Sequence, residues 1–322
     1  MSTVNPNILI LGGSGFIGRS LCEQLTRTLG GRARITVPTR RLPHAQAIQG
    51  LPGLTVLQAD VHHPAQLRSL LAGHDLVINL IAILQGDAAG FERAHVTLPR
   101  SLAEACAATG VRRVIHVSAL GVPDSGKPAA SLYLRSKAAG EAVLRGADLD
   151  LTLLRPSVVF GAGDRFLNLF AKLQTLFPVL PLAGAKVKFQ PVWVEDVAAA
   201  IVACVQDPNT AGQTFELAGP QVLSLADIAR LAGQLSGHQR PILALPAPLA
   251  WAQALMMELL PGEPLMSRDN LASMRVANVA SGLLPGLETL GIKPQSIAAV
   301  APAYLGAGEG CAKLDAWRSK RN

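Results

Sequence analysis

Tyr133 stands four residues before Lys137 in the stretch SLYLRSKAAGE, and the chain holds only two tyrosines. On a helix this spacing puts both side chains on one face, one turn apart. A phenol and an ammonium so placed can act as an acid–base pair. The phenol has an ordinary pKa of about 10. A nearby ammonium favours the phenolate and lowers that value, which brings proton exchange closer to neutral pH. An ordinary surface turn of a helix would give the same spacing, so the surroundings must decide.

A second chemical motif lies near the N-terminus. LILGGSGFIG carries Gly12, Gly15 and Gly18 between an apolar run and a helical pattern. Small residues there let the backbone approach a pyrophosphate, and the first turn of the following helix points its N–H groups and positive dipole end at the charge. The strand before and the helix after give the glycines a specificity they lack alone. About twenty residues on, an acidic side chain would take the ribose hydroxyls of NAD. Here the sequence reads Thr39, Arg40 and Arg41, with no carboxylate. Guanidinium groups suit the 2′-phosphate of NADP, and Arg19 stands just inside the first helix. NADP(H) is therefore expected over NAD(H); two solvated arginines are the plainer alternative. Asp60, at the end of a later strand, is placed to meet the adenine, although a strand-end Asp also forms turns.

The elements that must hold these residues alternate. NILILGG, RITVPTRR, LTVLQAD, HDLVINLIAIL, VRRVIHVSALG and LDLTLLRPSVVFG read as strands, with helical patterns between most of them. Such alternation demands right-handed crossovers and a parallel sheet covered on both faces. The long helix FERAHVTLPRSLAEACAATG contains Pro99, which should bend it. Past residue 160 the rhythm changes. Phe166, Leu169, Phe170, Leu173, Leu176 and Phe177 form one helical stripe. Ser224 and Asp227 open a later helix in the manner of a capping box.

Hydrophobic residues at 49% and charged residues at 16% fit a globular chain and exclude a disordered one. The net charge of +7 suits anionic partners, but aromatics are only 4% and no dense basic run interleaves with them, so nucleic acid is not an expected partner. Cys22, Cys106, Cys204 and Cys311 form no Cys-x-x-Cys pair and read as thiols in a reducing compartment. The first residues lack a basic region and cleavage site, so the protein is expected to stay in the cytoplasm. ILALPAPLAWAQALMMELL approaches membrane-spanning length, but Pro246 and Pro248 leave too short a helix to cross. A buried or partner-facing helix is expected there.

Together these residues resemble the short-chain dehydrogenase/reductase superfamily in its extended and atypical branches. The marks are GGSGFIG, QADV, NLIAIL, VIHVSALG, Tyr133-x-x-x-Lys137, LLRPSVVFGAGD and FQPVWVEDVAAAI, spread over roughly residues 7 to 220. YLRSKAAGE, RPSVVFGAGDRFLN, QPVWVEDVA, DPNTAGQTFELAGP and LPGEPLMSRDNLASM are similar to the family of the 39 kDa accessory subunit of mitochondrial complex I, which includes bacterial homologues and relatives tied to ubiquinone biosynthesis. The resemblance implies an α/β, Rossmann-type doubly wound parallel sheet over residues 1–160, with 186–206 returning to it. Residues 161–185 and 207–322 would form a smaller, mainly helical C-terminal lobe for substrate or partner. It implies a nucleotide bound by Gly12, Gly15, Phe16, Ile17, Gly18, Arg19, Arg40, Arg41, Asp60, Val61, Leu80, Lys137 and Pro156. Tyr133 would exchange the proton, and Lys137 would also hold the nicotinamide ribose.

In the superfamily a serine or threonine polarises the substrate carbonyl from just after the fifth strand. VIHVSALG offers Ser118 as the candidate, but aligned with extended members the hydroxyl belongs where Ala119 stands. Loss of one donor at a developing oxyanion costs on the order of 10²–10³ in rate. A shift of the connection GVPDSGKPAA would let Ser118 substitute. His95 occupies a position where relatives often carry a polar brace. His62-His63 read as a solvated turn rather than metal ligands, and Glu195-Asp196 as a helix-start pair.

Two functional classes stay open. One is a nucleotide-binding accessory protein of the respiratory chain or of quinone biosynthesis, peripheral on the cytoplasmic face of the inner membrane. In the mitochondrial subunit the nucleotide is regarded as structural. The other is a working NADPH-dependent reductase or epimerase/dehydratase on a lipid, quinone-like or sugar-nucleotide substrate.

Overall fold

A computed structural model describes residues 6–123, 129–259 and 264–306. Cys311, part of the connection after Ala119 and part of LPGEPLMSRDNLASM lie outside the described residues.

The apolar runs form a seven-stranded sheet. Its first six strands in the chain are β1 (Asn7–Leu11), β2 (Arg34–Thr39), β3 (Leu54–Gln58), β4 (Leu76–Asn79), β5 (Arg113–Val117) and β6 (Asp150–Pro156). Four shorter strands follow: β7 (Val159–Phe160), β8 (Leu180–Leu182), β9 (Lys188–Phe189) and β10 (Val192–Trp193). The seventh strand of the sheet is β11 (Thr214–Leu217). The spatial order is β11-β6-β5-β4-β1-β2-β3, and every pairing is parallel. The winding reverses between β1 and β4, which opens a crevice at their carboxyl ends.

Within β1, Ile8 and Ile10 enter one core, while Leu9 and Leu11 enter the other. This is the period of a strand buried on both faces. One face is covered by α1 (Phe16–Leu29) and α7 (Val194–Gln206). The opposite face is covered by α2 (Pro64–Leu71), α4 (Leu98–Thr109) and α5 (Leu132–Arg145). A short α3 (Ala88–Glu92) leads into α4 through a π-helical turn, Arg93–Thr97. Pro99 sits in the first turn of α4, directly after the π-helical turn, where its missing N–H leaves a carbonyl of that turn without its usual helical partner. The bend expected at Pro99 is thus expressed as a change of helical register just before it.

A third core gathers Phe160, Leu167, Phe170, Leu180, Leu225, Ile228 and Ile297. It is built on α6 (Leu167–Leu176), α8 (Leu225–Leu235) and three small strand pairs. In these, β7 pairs with β10, β9 with β12 (Leu223–Ser224), and β8 with β13 (Ile242–Ala244). The capping box of Ser224 and Asp227 is present. Leu176 and Phe177, expected on the apolar stripe of α6, are instead exposed at its C-terminal end.

Two expectations need correction. The boundary drawn at residue 207 cuts through the sheet, because β11 returns to pair with β6. Of the two outcomes expected for α9 (Ala247–Leu259), buried or partner-facing, burial is not met: it buries only Ala250 and Ala254 and leaves Leu249, Trp251, Met256 and Leu259 exposed. Its apolar residues run almost all round the helix, and packing against α10 (Arg268–Ser273) leaves much of that surface uncovered.

Candidate nucleotide-binding site

The glycine loop follows β1 directly. Gly12 has φ +84°, a conformation open to glycine, and its carbonyl accepts the N–H of Gly15 at 3.0 Å. A Cβ on Gly12 would come within 3.3 Å of the chain after β4 at Leu80 and Ile81. A Cβ on Gly18 would lie 2.5 Å from the Gly12 carbonyl and the Gly13 backbone. The loop, the first turn of α1 and the end of β4 thus close on one another only because these positions lack side chains. The N-cap of α1 is Gly15, without a side-chain cap, and the first turn contains no acid. Helix N–H groups that other proteins spend on a cap are free here for an anion. Phe16, Ile17 and Arg19 are half-buried around this turn. The Phe16 ring lies 3.3 Å from where Gly161 would carry a Cβ, which ties the loop to the chain beyond β6.

Arg40 and Arg41 are exposed just past β2. Thr39 Oγ1 accepts the Arg41 N–H at 3.4 Å and donates to the Arg41 carbonyl at 3.2 Å, and Gln58 donates to the Arg40 carbonyl at 3.3 Å. Asp60 Oδ1 accepts the His62 N–H at 3.0 Å, while its own N–H goes to Gln66. Asp60 therefore builds the turn after β3. Val61 is buried beside it and Leu80 is half-buried. Burial holds His62 below its ordinary pKa; Asp60 opposes this, and Arg40 and Arg93 add to it.

Tyr133 and Lys137 occupy α5 one turn apart. Lys137 is 2% exposed, and its Nζ donates to the Val117 carbonyl at 3.0 Å. Burial lowers its pKa to about 8, against the pull of Glu141. The Tyr133 ring packs edge-on to His95, with centroids 5.6 Å apart, and to Phe91 at 6.1 Å. Burial pushes its phenol up to about 12, so desolvation outweighs the lowering expected from the neighbouring ammonium. His95 lies on the π-helical turn, where such turns often serve function. Its Nε2 accepts the Ile83 N–H at 3.1 Å, so Nδ1 carries the proton and donates to Ser136 Oγ at 2.8 Å. Ser136 in turn donates to the Tyr133 carbonyl at 2.8 Å. His95 braces α5 as a neutral ring, its pKa lowered by burial, then by Lys137, to about 3.

Ser118 and Ala119 differ in a way the sequence left open. Ser118 Oγ is buried with no hydrogen-bond partner among the described residues, and its N–H continues the sheet to the Leu154 carbonyl at 2.7 Å. Ala119 is 8% exposed and packs in one cluster with Val122, Leu134 and Tyr133. Pro156 is buried, and its carbonyl accepts the Leu120 N–H at 2.9 Å. Its neighbour Arg155 turns into α5 and donates to both oxygens of buried Glu141, at 2.9 and 2.7 Å. Glu141 was invisible as a site-builder in sequence, although it continues the Tyr133–Lys137 face by one more turn. Glu195 is used structurally, accepting from Gln24 at 2.6 Å, and Asp196 accepts the Gln295 N–H at 2.8 Å.

The residues present fit a dinucleotide: an uncapped helix start, a crevice that any Cβ would fill, an unpartnered buried hydroxyl and a buried ammonium. Comparison with known proteins agrees. The family model described as NAD(P)H-binding matches residues 12–208. Subunit 9 of the NADH dehydrogenase [ubiquinone] 1 alpha subcomplex of Mus musculus mitochondria is 34% identical over 295 residues, 88% of this chain and 76% of that protein. A ceramide reductase of Caulobacter vibrioides is 31% identical over 243 residues, 75% of this chain and 74% of that protein. An Escherichia coli NADPH-dependent quinone oxidoreductase complexed with NADPH shares the fold at TM-score 0.74 and 23% identity, covering 92% of this chain and 99% of that one. With the loop, the sheet order and these relatives in agreement, this chain belongs to the NAD(P)H-binding family, as a short-chain dehydrogenase-like protein homologous to the 39 kDa-type subunit of complex I.

Proposed function

We propose that the protein holds NADPH as an accessory partner of a respiratory NADH:quinone oxidoreductase or of quinone metabolism, with the nucleotide serving structure before turnover. The carrying observation is the pairing of Ala119 with Tyr133. The glycine loop and the buried Lys137 support nucleotide binding, while the cluster against which Tyr133 packs includes Ala119 where the superfamily carries a hydroxyl, and the phenol is held at about 12. A carbonyl oxygen placed there would find no side-chain donor from residue 119 as negative charge develops on it. NADPH is preferred because the end of β2 carries Arg40 and Arg41 and no carboxylate.

A partner or bilayer surface is supported by α9, whose exposed Leu249, Trp251, Met256 and Leu259 exceed what scattered surface apolar residues explain. No helix among the described residues is long and apolar enough to cross a membrane, so attachment would be peripheral, on the cytoplasmic face of an inner membrane. The test is purification from membranes with and without detergent, followed by native mass spectrometry. Retained NADPH together with respiratory-chain polypeptides is the expected result. Protein that binds neither NADPH nor NADH in titration overturns the reading. Flotation with anionic liposomes separates bilayer from protein contact: failure to float at low salt removes the bilayer.

A second reading, a reductase of a lipid or quinone-like carbonyl, is favoured by the intact Tyr133–Lys137 pair. NADPH would supply the hydride, and Tyr133 would deliver the proton to the carbonyl oxygen. Consumption of NADPH with a membrane lipid extract, abolished in Tyr133→Phe, would select this reading.

A further inference from the structure

The segment from Ser267 to Asn278 lies far beyond the nucleotide-binding strands in sequence, yet it grips the site at three places. Asp269 accepts the N–H of Leu132 at 2.6 Å through Oδ1 and the N–H of Tyr133 at 3.1 Å through Oδ2. Ser273 donates to Ser131 Oγ at 2.8 Å. The Val276 side chain lies 3.7 Å from where Gly121 would carry a Cβ, next to the chain leaving β5. Asn278 Oδ1 accepts from Ser157 Oγ at 2.6 Å and from the Val158 N–H at 2.9 Å, at the end of β6. This strap therefore bridges the start of α5, the exit of β5 and the exit of β6, the three edges that surround Tyr133 and Ser118.

The start of α5 shows what the strap contributes. The first N–H groups of a helix have no partner within it. Of these N–H groups, Ser131, the N-cap, takes that of Leu134, at 3.1 Å. The N–H groups of Leu132 and Tyr133 are satisfied by Asp269, which comes from 136 residues beyond Tyr133. A carboxylate accepting backbone N–H groups makes charge-assisted bonds, and at a helix N-terminus it also meets the favourable end of the dipole. Asp269 stands in the first turn of α10 as well, so one charge faces two helix starts. Arg268, its neighbour, is fixed by Glu258 at 2.8 Å and stacks over Trp251 at 5.6 Å, which limits the freedom of the carboxylate.

We propose that Asp269 is a positioning residue for Tyr133: it sets the first turn of α5, and hence the place of the phenol over the nucleotide crevice, so that the site is complete only with the strap docked. The inference rests on reading the Tyr133–Lys137 face as the nucleotide-facing one.

The chain has two tyrosines, so Tyr304→Phe leaves Tyr133 alone. In that background, ring-labelled tyrosine gives a single NMR signature of the residue. Asp269→Ala should shift and broaden this signal and weaken NADPH binding by roughly five-fold, the size of one lost capping interaction. Asp269→Asn keeps one acceptor oxygen and should restore the signal partly. Ser224→Ala, which removes the cap of α8 in the other lobe, should lower the melting temperature comparably and leave the signal in place. An unmoved Tyr133 signal in Asp269→Ala, or an equal movement in Ser224→Ala, overturns the proposal. Should Asp269→Ala not fold, an unmoved signal in Asp269→Asn overturns it, and a shifted one supports it. The signal needs no nucleotide, so a protein that bound no NADPH would sink the proposed function and leave this test standing.

Discussion

At the scale of single residues, the strongest selectivity argument is made by Arg40 and Arg41, exposed past β2 where an NAD-selecting carboxylate would stand. Hydrogen bonds to a charged group are worth about 1.5–3 kcal/mol. Arg40→Asp is therefore expected to weaken NADPH by roughly ten-fold or more and to leave NADH nearly unchanged, as read by titration of nicotinamide fluorescence. Equal losses for both nucleotides would remove the argument. Ala119 carries the second residue-scale prediction. Its methyl packs with Tyr133, so Ala119→Ser adds a donor where one is missing. With a short-chain ubiquinone analogue or a long-chain ketone, the variant should reduce the carbonyl on the order of 10²-fold faster than the parent. A parent already as fast as the variant would show that Ser118 or another group supplies the donor.

At the scale of elements, α5 is the piece on which the site depends, and it is seated tightly. A Cβ on Gly140 would run into the His95 carbonyl on the π-helical turn. That obstacle is backbone, which cannot rotate aside, so Gly140→Ala should cost about 2–3 kcal/mol in urea unfolding. It should also weaken nucleotide binding, because α5 must lift. An unchanged unfolding midpoint would show that the two segments separate freely. Much of this frame was legible in the sequence. Apolar runs closed by Gly or Asn announced the strands, and the glycine loop announced the crevice, because each is a local pattern with a local cause. The seat of α5 was not legible. The π-helical turn shifts the helical period by a single residue over one turn, too short a signal to read from the sequence, and Glu141 and Asp269 reach their partners only through the tertiary fold. The exposure of α9 was hidden for the opposite reason: its composition signals burial, and composition does not say whether the chain has anything left to cover it.

At the scale of the whole molecule, two histidines are folded into the interior as neutral rings, and this ties stability to pH. His116 accepts from Asn79 at 3.1 Å between β4 and β5. Its pKa is lowered well below 6.5 by burial, then by Lys137 and His95. His95 is lowered to about 3 by burial and by Lys137. In the unfolded chain both rings take up a proton near pH 6.5. Below that pH the unfolded state binds protons that the native state refuses, so stability is full above about 6.5 and falls as the pH drops. Each ring contributes about 1.4 kcal/mol per pH unit well below its unfolded pKa, or roughly 2.7 kcal/mol per unit for the two together. Asp196, raised by burial, works the other way: its contribution is present below the ordinary carboxylate value of 3.8 and is lost as the pH rises through its raised pKa. Lys137, lowered to about 8, makes stability rise with pH only on the alkaline side, between about 8 and 10.5. Urea unfolding between pH 7 and pH 5 should therefore show a steep loss of midpoint on the acid side. His95→Gln, which keeps a donor and an acceptor without the titration, should remove a large part of the slope, though less than half, because His62 and His74 are also lowered by burial. A midpoint flat from pH 7 to pH 5 in the parent would mean that these rings are protonated, or solvated, in the native protein, and the neutral brace behind Tyr133 would have to be abandoned.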